Sequence, residues 1–494
     1  MEYREDLMAK APSVRKNYIY NLIYQVMTLI TPFITTPYIS RVLGADGTGV
    51  QSYTNSVVQY FAILAALGTA SYGQREIARH RDEIKMRSRL FWEIEVLCMA
   101  TTAACLIIWL FVIGFAREYR PYYVVLTMTL LAVAFDISWF FGGLEQYSLI
   151  VLRNTAVKLV GIAMLFLFIR TRNDLLLYVA LTAATGLLGN ISMWGYLKGQ
   201  VEKPVLKELR PLRHLKETLV YFIPTIATSV YTILDKTMLG WFSGENKSQN
   251  GYYEYATGFV NMAKILIMSF NAVMSARMSY LFGTGRMEEI HKRFQDSLDF
   301  VLLMAMPIML GLAGIAAQFI PWFLGNGYLP VTFLMYVCSP LVLVVGLSDC
   351  IGSQILTPGG KRAQSGKVIV AGAMVNACLN FLLIPHFAAL GAAAASVAAE
   401  CFITSLYLWL GRDFIKLKML VRYGWRRLVA AVIMLGAVVW TGQFLEQVRG
   451  LGPITTFIQI GAGAMVYFLV LLVMRDPFLY QYLGKIYRRL TGQP

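Results

Sequence analysis

About fourteen stretches of this sequence are apolar for roughly 18 to 25 residues at a time, and that feature leaves few choices of fold. The first six lie near 17–39, 50–71, 90–114, 122–141, 149–169 and 175–197. Six more lie near 218–241, 252–275, 297–319, 330–350, 367–385 and 390–411, and a last pair at 428–445 and 454–474. Each run is long enough to cross about 30 Å of hydrocarbon as a helix, whose backbone groups satisfy one another without water. A transmembrane barrel would instead show alternating segments of about ten residues. With 57% hydrophobic and 15% charged residues and a mean hydropathy of +0.57, the chain lacks the polar surface to cover a water-soluble globule. The expected fold class is an all-α integral membrane protein with about 14 transmembrane helices.

The first span belongs to a unit that recurs. Residues 17–53 run apolar through Pro32 and Pro37 to a basic residue (Arg41), a Leu-Gly pair and a Gly-rich turn ending in Gly49 to Tyr53. About 200 residues later, 219–255 run apolar through Pro224 to Lys236, then Leu239 and Gly240, then a polar loop ending in Gly251 to Tyr255. Such a repeat predicts two similar halves, as in many transporters. The expected organisation is a six-helix lobe over 1–205, a second over 206–411, and a helix pair with a tail over 412–494. The long basic connection at 198–217 reads as the hinge between halves.

Lys and Arg fix an orientation. With the N-terminus in the cytoplasm, that side collects 33 of the 44 basic residues, against seven on the other: Arg41, Arg117, Arg120, Arg170, Arg172, Lys247 and Arg449. Both termini are therefore expected to be cytoplasmic. Most of the net charge of +16 is this asymmetry, and basic loops at 72–89 and 198–217 suit anionic lipid head groups. A nucleic-acid partner is not expected, because the charges are divided among loops that flank spans.

Other chemistries find no support. Cys98, Cys105, Cys338, Cys350, Cys378 and Cys401 lie in or beside apolar runs, where cysteine packs as a small hydrophobe. His80, His214, His291 and His386 show no metal-ligand spacing, so neither metal nor cofactor is expected. GGKRAQSGKV at 359–368 departs from a phosphate loop in glycine spacing and has Val368 where a hydroxyl should bind magnesium. No outer loop is long enough for a catalytic domain. Residues 1–16 are polar and basic, and the run that follows is too long for a cleaved signal. The expectation is a transporter and not an enzyme.

Ionisable residues inside spans are costly and mark partners or wet cavities. They include Asp136, Arg153, Lys158, Asp235, Lys236, Glu254, Lys264, Asp349 and Glu400. Helical spacing puts Asn21, Gln25, Thr28 and Thr35 on one face of the first span, and Thr225, Thr228, Thr232 and Asp235 on one face of the seventh. The eighth aligns Asn261, Lys264, Met268, Asn271 and Ser275; the tenth aligns Ser339, Gly346, Asp349 and Ser353. Such stripes line a hydrated cavity or bond helix to helix, and cations near span ends, such as Arg41, Arg153 and Lys236, can also snorkel to the interface.

Several motifs, taken in order, carry a resemblance: TTPYISRVLGADGTG at 35–49, YGQREIA at 72–78, DISWFFGGLEQY at 136–147 with VLRNTAVKLVGI after it, and DKTMLG at 235–240. AVMSARMSYLFGTGRMEEI, PWFLGNGY and NFLLIPHFAALGAAAASVAAE extend it over nearly the whole chain. The sequence resembles the Wzx-type oligosaccharide flippases of the polysaccharide transporter family, in the superfamily that also holds multidrug exporters and peptidoglycan-lipid flippases. The resemblance implies two six-helix lobes in a V, some members adding a C-terminal helix pair. It implies transport, without ATP, of an undecaprenyl-pyrophosphate-linked sugar across the bacterial cytoplasmic membrane by a monomer, with a polymerase and a chain-length regulator as possible assembly partners.

For such a cargo, Lys158, Lys264, Arg153, Arg41 and Lys236 are the candidates to neutralise pyrophosphate, and Asn154, Trp139, Asn21, Gln25, Asn261 and Asn271 those to meet sugar. Asp136, Asp349, Asp235 and Glu400 are the ion-coupling candidates, read as the only span acids able to exchange a proton. An ion-coupled multidrug antiporter would want an acidic pocket for organic cations, whereas the buried cations favour an anionic cargo. A membrane glycosyltransferase or polymerase is the remaining alternative.

Overall fold

The computed structural model of the chain describes residues 14–244, 246–415 and 417–480. Among the described residues there are fifteen α-helices and no strand. They form two compact units, one through Thr237 and one from Met238.

In the first unit, α1 (Val14–Ala66), α2 (Thr69–Arg79), α3 (Ile84–Phe115), α4 (Arg120–Ala134), α5 (Ser138–Gly143), α6 (Tyr147–Phe168), α7 (Leu175–Met193) and most of α8 (Leu215–Phe242) follow in order. The second holds α9 (Ser248–Gly283), α10 (Met287–Phe323), α11 (Leu329–Cys338), α12 (Leu341–Ile351), α13 (Arg362–Leu410), α14 (Leu417–Arg449) and α15 (Pro453–Val473). Among the described residues, nine helical segments are long and apolar enough to span a membrane, or ten if the bent pair formed by α11 and α12 counts as one. Two spans expected separately, 17–39 and 50–71, share α1, which is interrupted at Gly44 (φ 72°, ψ 177°). The Gly-rich turn expected there contracts to one left-handed residue, a conformation glycine adopts freely. Likewise α13 is broken at Ala388 (φ 48°, ψ −126°).

Compactness and repeat symmetry are different criteria. The first unit runs on through the 198–214 connection into α8, whereas the division at 205 concerns which helices should superpose.

Among the described residues, the first unit has two apolar cores. One gathers Ile39, Leu43, Val58, Trp109, Leu126, Leu130 and Val179; the other gathers Tyr72, Phe91, Ile94, Ile137, Trp139 and Phe140. Around buried Trp109, α3 leaves Ile107, Leu110 and Phe111 exposed, as a lipid-facing surface requires. Where α1 passes into α2, Gly68 (φ 74°) lies so near α8 that an added Cβ would sit 2.8 Å from both Thr218 O and Phe222 N. Left-handed strain and a backbone clash then act together, so Gly68→Ala is expected to cost about 2–3 kcal/mol. A melting temperature in detergent equal to that of the parent would contradict this.

In the second unit, polar contacts fasten the final helices. Arg427 of α14, fully buried, donates from Nε to Asp476 Oδ2 (3.2 Å) and from Nη1 to Asp299 Oδ1 of α10 (2.9 Å). Gln459 of α15 donates to Gln318 of α10 and to the Val438 carbonyl, both at 3.2 Å, and Tyr467 donates to the Leu303 carbonyl at 2.9 Å. Buried polar groups bonded to one another across three helices fix their register.

Candidate functional site

Three polar stripes meet in the first unit. Thr28, Thr31 and Thr35 of α1, Asn154 and Lys158 of α6, and Tyr178, Thr182 and Thr185 of α7 each follow helical spacing. All but Thr28 line a cavity of about 360 Å³. The half-buried Lys158 donates from Nζ to Thr28 Oγ1 at 3.1 Å. Thr31, Thr35 and Thr182 donate to carbonyls one turn back (2.7, 3.0 and 2.9 Å), as does Thr185 to Leu181. Their protons are thus engaged and their lone pairs are left as acceptors. At one end Tyr38 donates to the Ile169 carbonyl at 2.6 Å. A single ammonium, an amide and several acceptors in an otherwise apolar cleft suit an anionic group attached to a hydroxyl-rich one.

The other first-unit candidates lie elsewhere. Arg153, on α6, donates to Asn190 Oδ1 of α7 at 3.2 Å, and Asn190 donates to the Ala132 carbonyl of α4 at 2.7 Å. Arg41 is exposed and donates to the Pro37 carbonyl at 3.0 Å. Asp235 is buried near Tyr60, and Thr237 beside it donates to Ser56 Oγ at 2.9 Å and Tyr60 OH at 3.2 Å. Lys236 is half-buried on the same helix. Trp139 is packed in the second core, stacked on Phe91 (5.7 Å between centroids) and directly over Gly73. Asp136 accepts the backbone N–H of Ser138 at 3.0 Å, in the break just ahead of α5. Asn21 and Gln25 belong to α1, and their side chains lie outside the described residues.

In the second unit, two expected stripes bond to each other. Asn271 of α9, fully buried, donates to Asp349 Oδ2 (2.8 Å) and the Gly346 carbonyl (3.2 Å) of α12, and accepts from Gln354 Nε2 (3.2 Å). Ser275 donates to the Ser353 carbonyl at 2.9 Å. Gln354 lies in a π-helical turn, Gly352–Leu356, that continues α12; such turns recur at functional sites. Lys264 of α9 is half-buried and within the field of buried Glu400 on α13, with Asn261 exposed one turn away.

Two further buried acids, outside those expected from the spans, lie on α3. Glu93 and Glu95 are 0% and 1% exposed. Glu93 accepts from Arg89 Nε (3.0 Å), the Arg210 backbone N–H (3.0 Å), Arg213 Nη2 (2.5 Å) and His214 Nε2 (2.8 Å). The connection expected to act as a hinge is thereby stitched to α3. Arg87 adds a bond to Gln200 O (2.7 Å), Trp92 one to Glu202 O (2.9 Å) and Arg89 one to Glu208 O (3.0 Å). Tyr72 OH lies 2.7 Å from His214 Nδ1. Burial, helped by the carboxylates of Glu76 and Glu217, pushes this phenol up to about 12. A phenol that keeps its proton can donate to Nδ1, which places the imidazole N–H on Nε2, facing Glu93. The signal was two acids in the run FWEIEVLC at 91–98.

A family model described as polysaccharide biosynthesis protein matches residues 14–281, more than half of the chain. The chain belongs to that family. Within it, the chain is 23% identical over 406 residues to a protein of Escherichia coli strain K12 named "Putative O-antigen transporter", covering 81% of this chain and 97% of that one. A Shigella dysenteriae protein of the same name is 22% identical over 400 residues, covering 80% and 99%. Among solved structures, the lipid II flippase MurJ in an inward closed conformation matches with a TM-score of 0.70 at 14% identity, over 93% of this chain and 99% of that one. An inward-facing multidrug resistance MATE family transporter of the MOP superfamily matches at 0.58 and 12% identity, over 78% and 97%. The fold is therefore that of these multi-pass helical membrane transporters. The match to the family model contains the Lys158 cavity, the Glu93 network, Lys264 and Asn271, and ends before Asp349, Gln354 and Glu400.

Proposed function

We propose that this member of the polysaccharide biosynthesis family is a flippase that carries undecaprenyl-pyrophosphate-linked oligosaccharide across the bacterial cytoplasmic membrane by alternating access. The observation that carries the reading is Lys158, held by Thr28 in a cleft whose other polar groups are an amide and hydroxyl oxygens. A polyprenyl tail can stay in lipid while pyrophosphate and sugars cannot cross hydrocarbon unaided. Lys158 and Lys264 would meet the pyrophosphate during transport, and Asn154 and the threonines the sugars. The lobes would be 1–205 and 206–411, with 412–494 as an added helix pair and both termini cytoplasmic. The relatives named as O-antigen transporters support the class of cargo, and the likeness to MurJ and MATE proteins supports a fold suited to alternating access.

The test is reconstitution. Purified protein in liposomes is expected to move a lipid-linked oligosaccharide to the outer leaflet faster than protein-free vesicles, with head-group accessibility as the readout. Vesicles that transport organic cations but leave the glycolipid where it was would replace the flippase reading with that of a drug antiporter.

A further inference from the structure

Two carboxyls two residues apart on α3 receive opposite treatment. Glu93 has four donors, whereas neither oxygen of Glu95 has a hydrogen bond of normal geometry, although the residue is 1% exposed. Its neighbouring donor is the neutral indole N–H of Trp139 on α5. Cys98 and Thr102 continue its helical face, and the buried Thr102 hydroxyl, beside Cys98, likewise has no hydrogen bond of normal geometry. Across from this face lie Thr69 of α2 and, at the end of α4, the Val133 carbonyl, 3.8 Å from Cys98 Sγ. Among the described residues, the titratable groups acting on Glu95 are Asp136, between α4 and α5, and Cys98 on its own helix, and no cation does so. An ionised carboxylate in such a place costs several kcal/mol, and a second carboxylate nearby adds to that cost. A bound metal would need more ligands, and among the described residues no three His, Cys, Asp or Glu side chains are grouped to hold one.

The backbone around Glu95 is broken on two sides. Between α1 and α2 stand Leu67 (φ 45°) and Gly68 (φ 74°); between α4 and α5, residues 135–137 leave the helix and bring Asp136 in. Helix breaks beside a buried ionisable group give a place where a change of helix packing can admit water.

We propose that Glu95 is a proton-binding site: it carries a proton while dry, as in this conformation, and gives it to water when rearrangement of the α1–α2 and α4–α5 breaks wets it. The carboxylic O–H bond breaks, the carboxylate keeps the electron pair and water takes the proton. Because two conformations then bind the proton with different affinity, a pH difference across the membrane biases their populations. The use of that bias for transport rests on the flippase reading; the site does not.

Dicyclohexylcarbodiimide, an apolar reagent that modifies protonated carboxyls, tests the site on the full-length protein without cargo. Peptide mass spectrometry is expected to find Glu95 modified and Glu93 unmodified, with labelling lost as pH rises. The infrared C=O stretch of a protonated carboxyl should be present in the parent protein and missing in Glu95→Gln, whose pH-gradient response in liposomes should also be lost. Absence of Glu95 labelling, protection by sodium at constant pH, or a Glu95→Gln protein that still responds to the gradient would each overturn the proposal. Labelling as expected in a protein that moves no lipid-linked sugar would uphold the proton site and remove the flippase reading.

Discussion

Glu93→Ala is expected to lower the stability of the purified protein by about 3 kcal/mol, the scale for deleting one member of a buried, hydrogen-bonded ion pair. The loss comes from what is left behind. Without the carboxylate, the buried His214 N–H, the Arg210 backbone N–H and two guanidinium groups lose their acceptor, while the connection at 198–214 loses its anchor on α3. Glu93→Gln should cost less, since an amide oxygen can still accept from Arg210. Arg89→Met should cost under about 1 kcal/mol, because that guanidinium is 37% exposed. Thermal unfolding in detergent reads all three, and limited proteolysis at 198–214 should quicken in Glu93→Ala alone. Equal melting of Glu93→Ala and the parent would mean that the connection is held by its other bonds.

The sequence made the fold legible wherever one local property decided the outcome. Long apolar runs specify membrane helices because the bilayer forbids unpaired backbone, and helical spacing puts Asn154 and Lys158 on one face. Geometry with several outcomes for one pattern stayed hidden. The stripe through Asn271 and the one through Asp349 could equally face water or each other, and the structure bonds them to each other. Arg153 and Lys158, five residues apart on α6, go to different partners, the first to Asn190 and the second to Thr28. Glu93 and Glu95 were overlooked because their run follows basic residues and reads as the polar edge of a span. Two positions along a helix is about 200° of rotation, so one acid meets the basic connection and the other the interior. A hinge was expected at 198–217 because length and charge suggest an exposed loop. Only tertiary contact reveals that its carbonyls and amides are bonded to α3.

Lys158→Ala should reduce flipping of a pyrophosphate-linked cargo by about 10- to 100-fold, since a charge-assisted hydrogen bond contributes about 1.5–3 kcal/mol. Lys158→Arg should keep most of the rate, and Lys158→Gln should resemble Ala, because neutralising the anion needs charge and not merely a donor. The same substitutions at Lys264 should weigh less. Glu400 already acts on that ammonium, so less of its charge is available to a ligand, and the paired change Lys264→Ala with Glu400→Gln should be milder than Lys264→Ala alone. Flipping rates in liposomes, normalised to the amount of folded protein, measure each. An uncharged lipid-linked sugar supplies the control, because its transport should be nearly indifferent to Lys158. If Lys158→Ala and Lys158→Arg both flip the anionic cargo at the parent rate, the ammonium in the cleft has no part in recognising pyrophosphate, and the cargo's charge is met elsewhere.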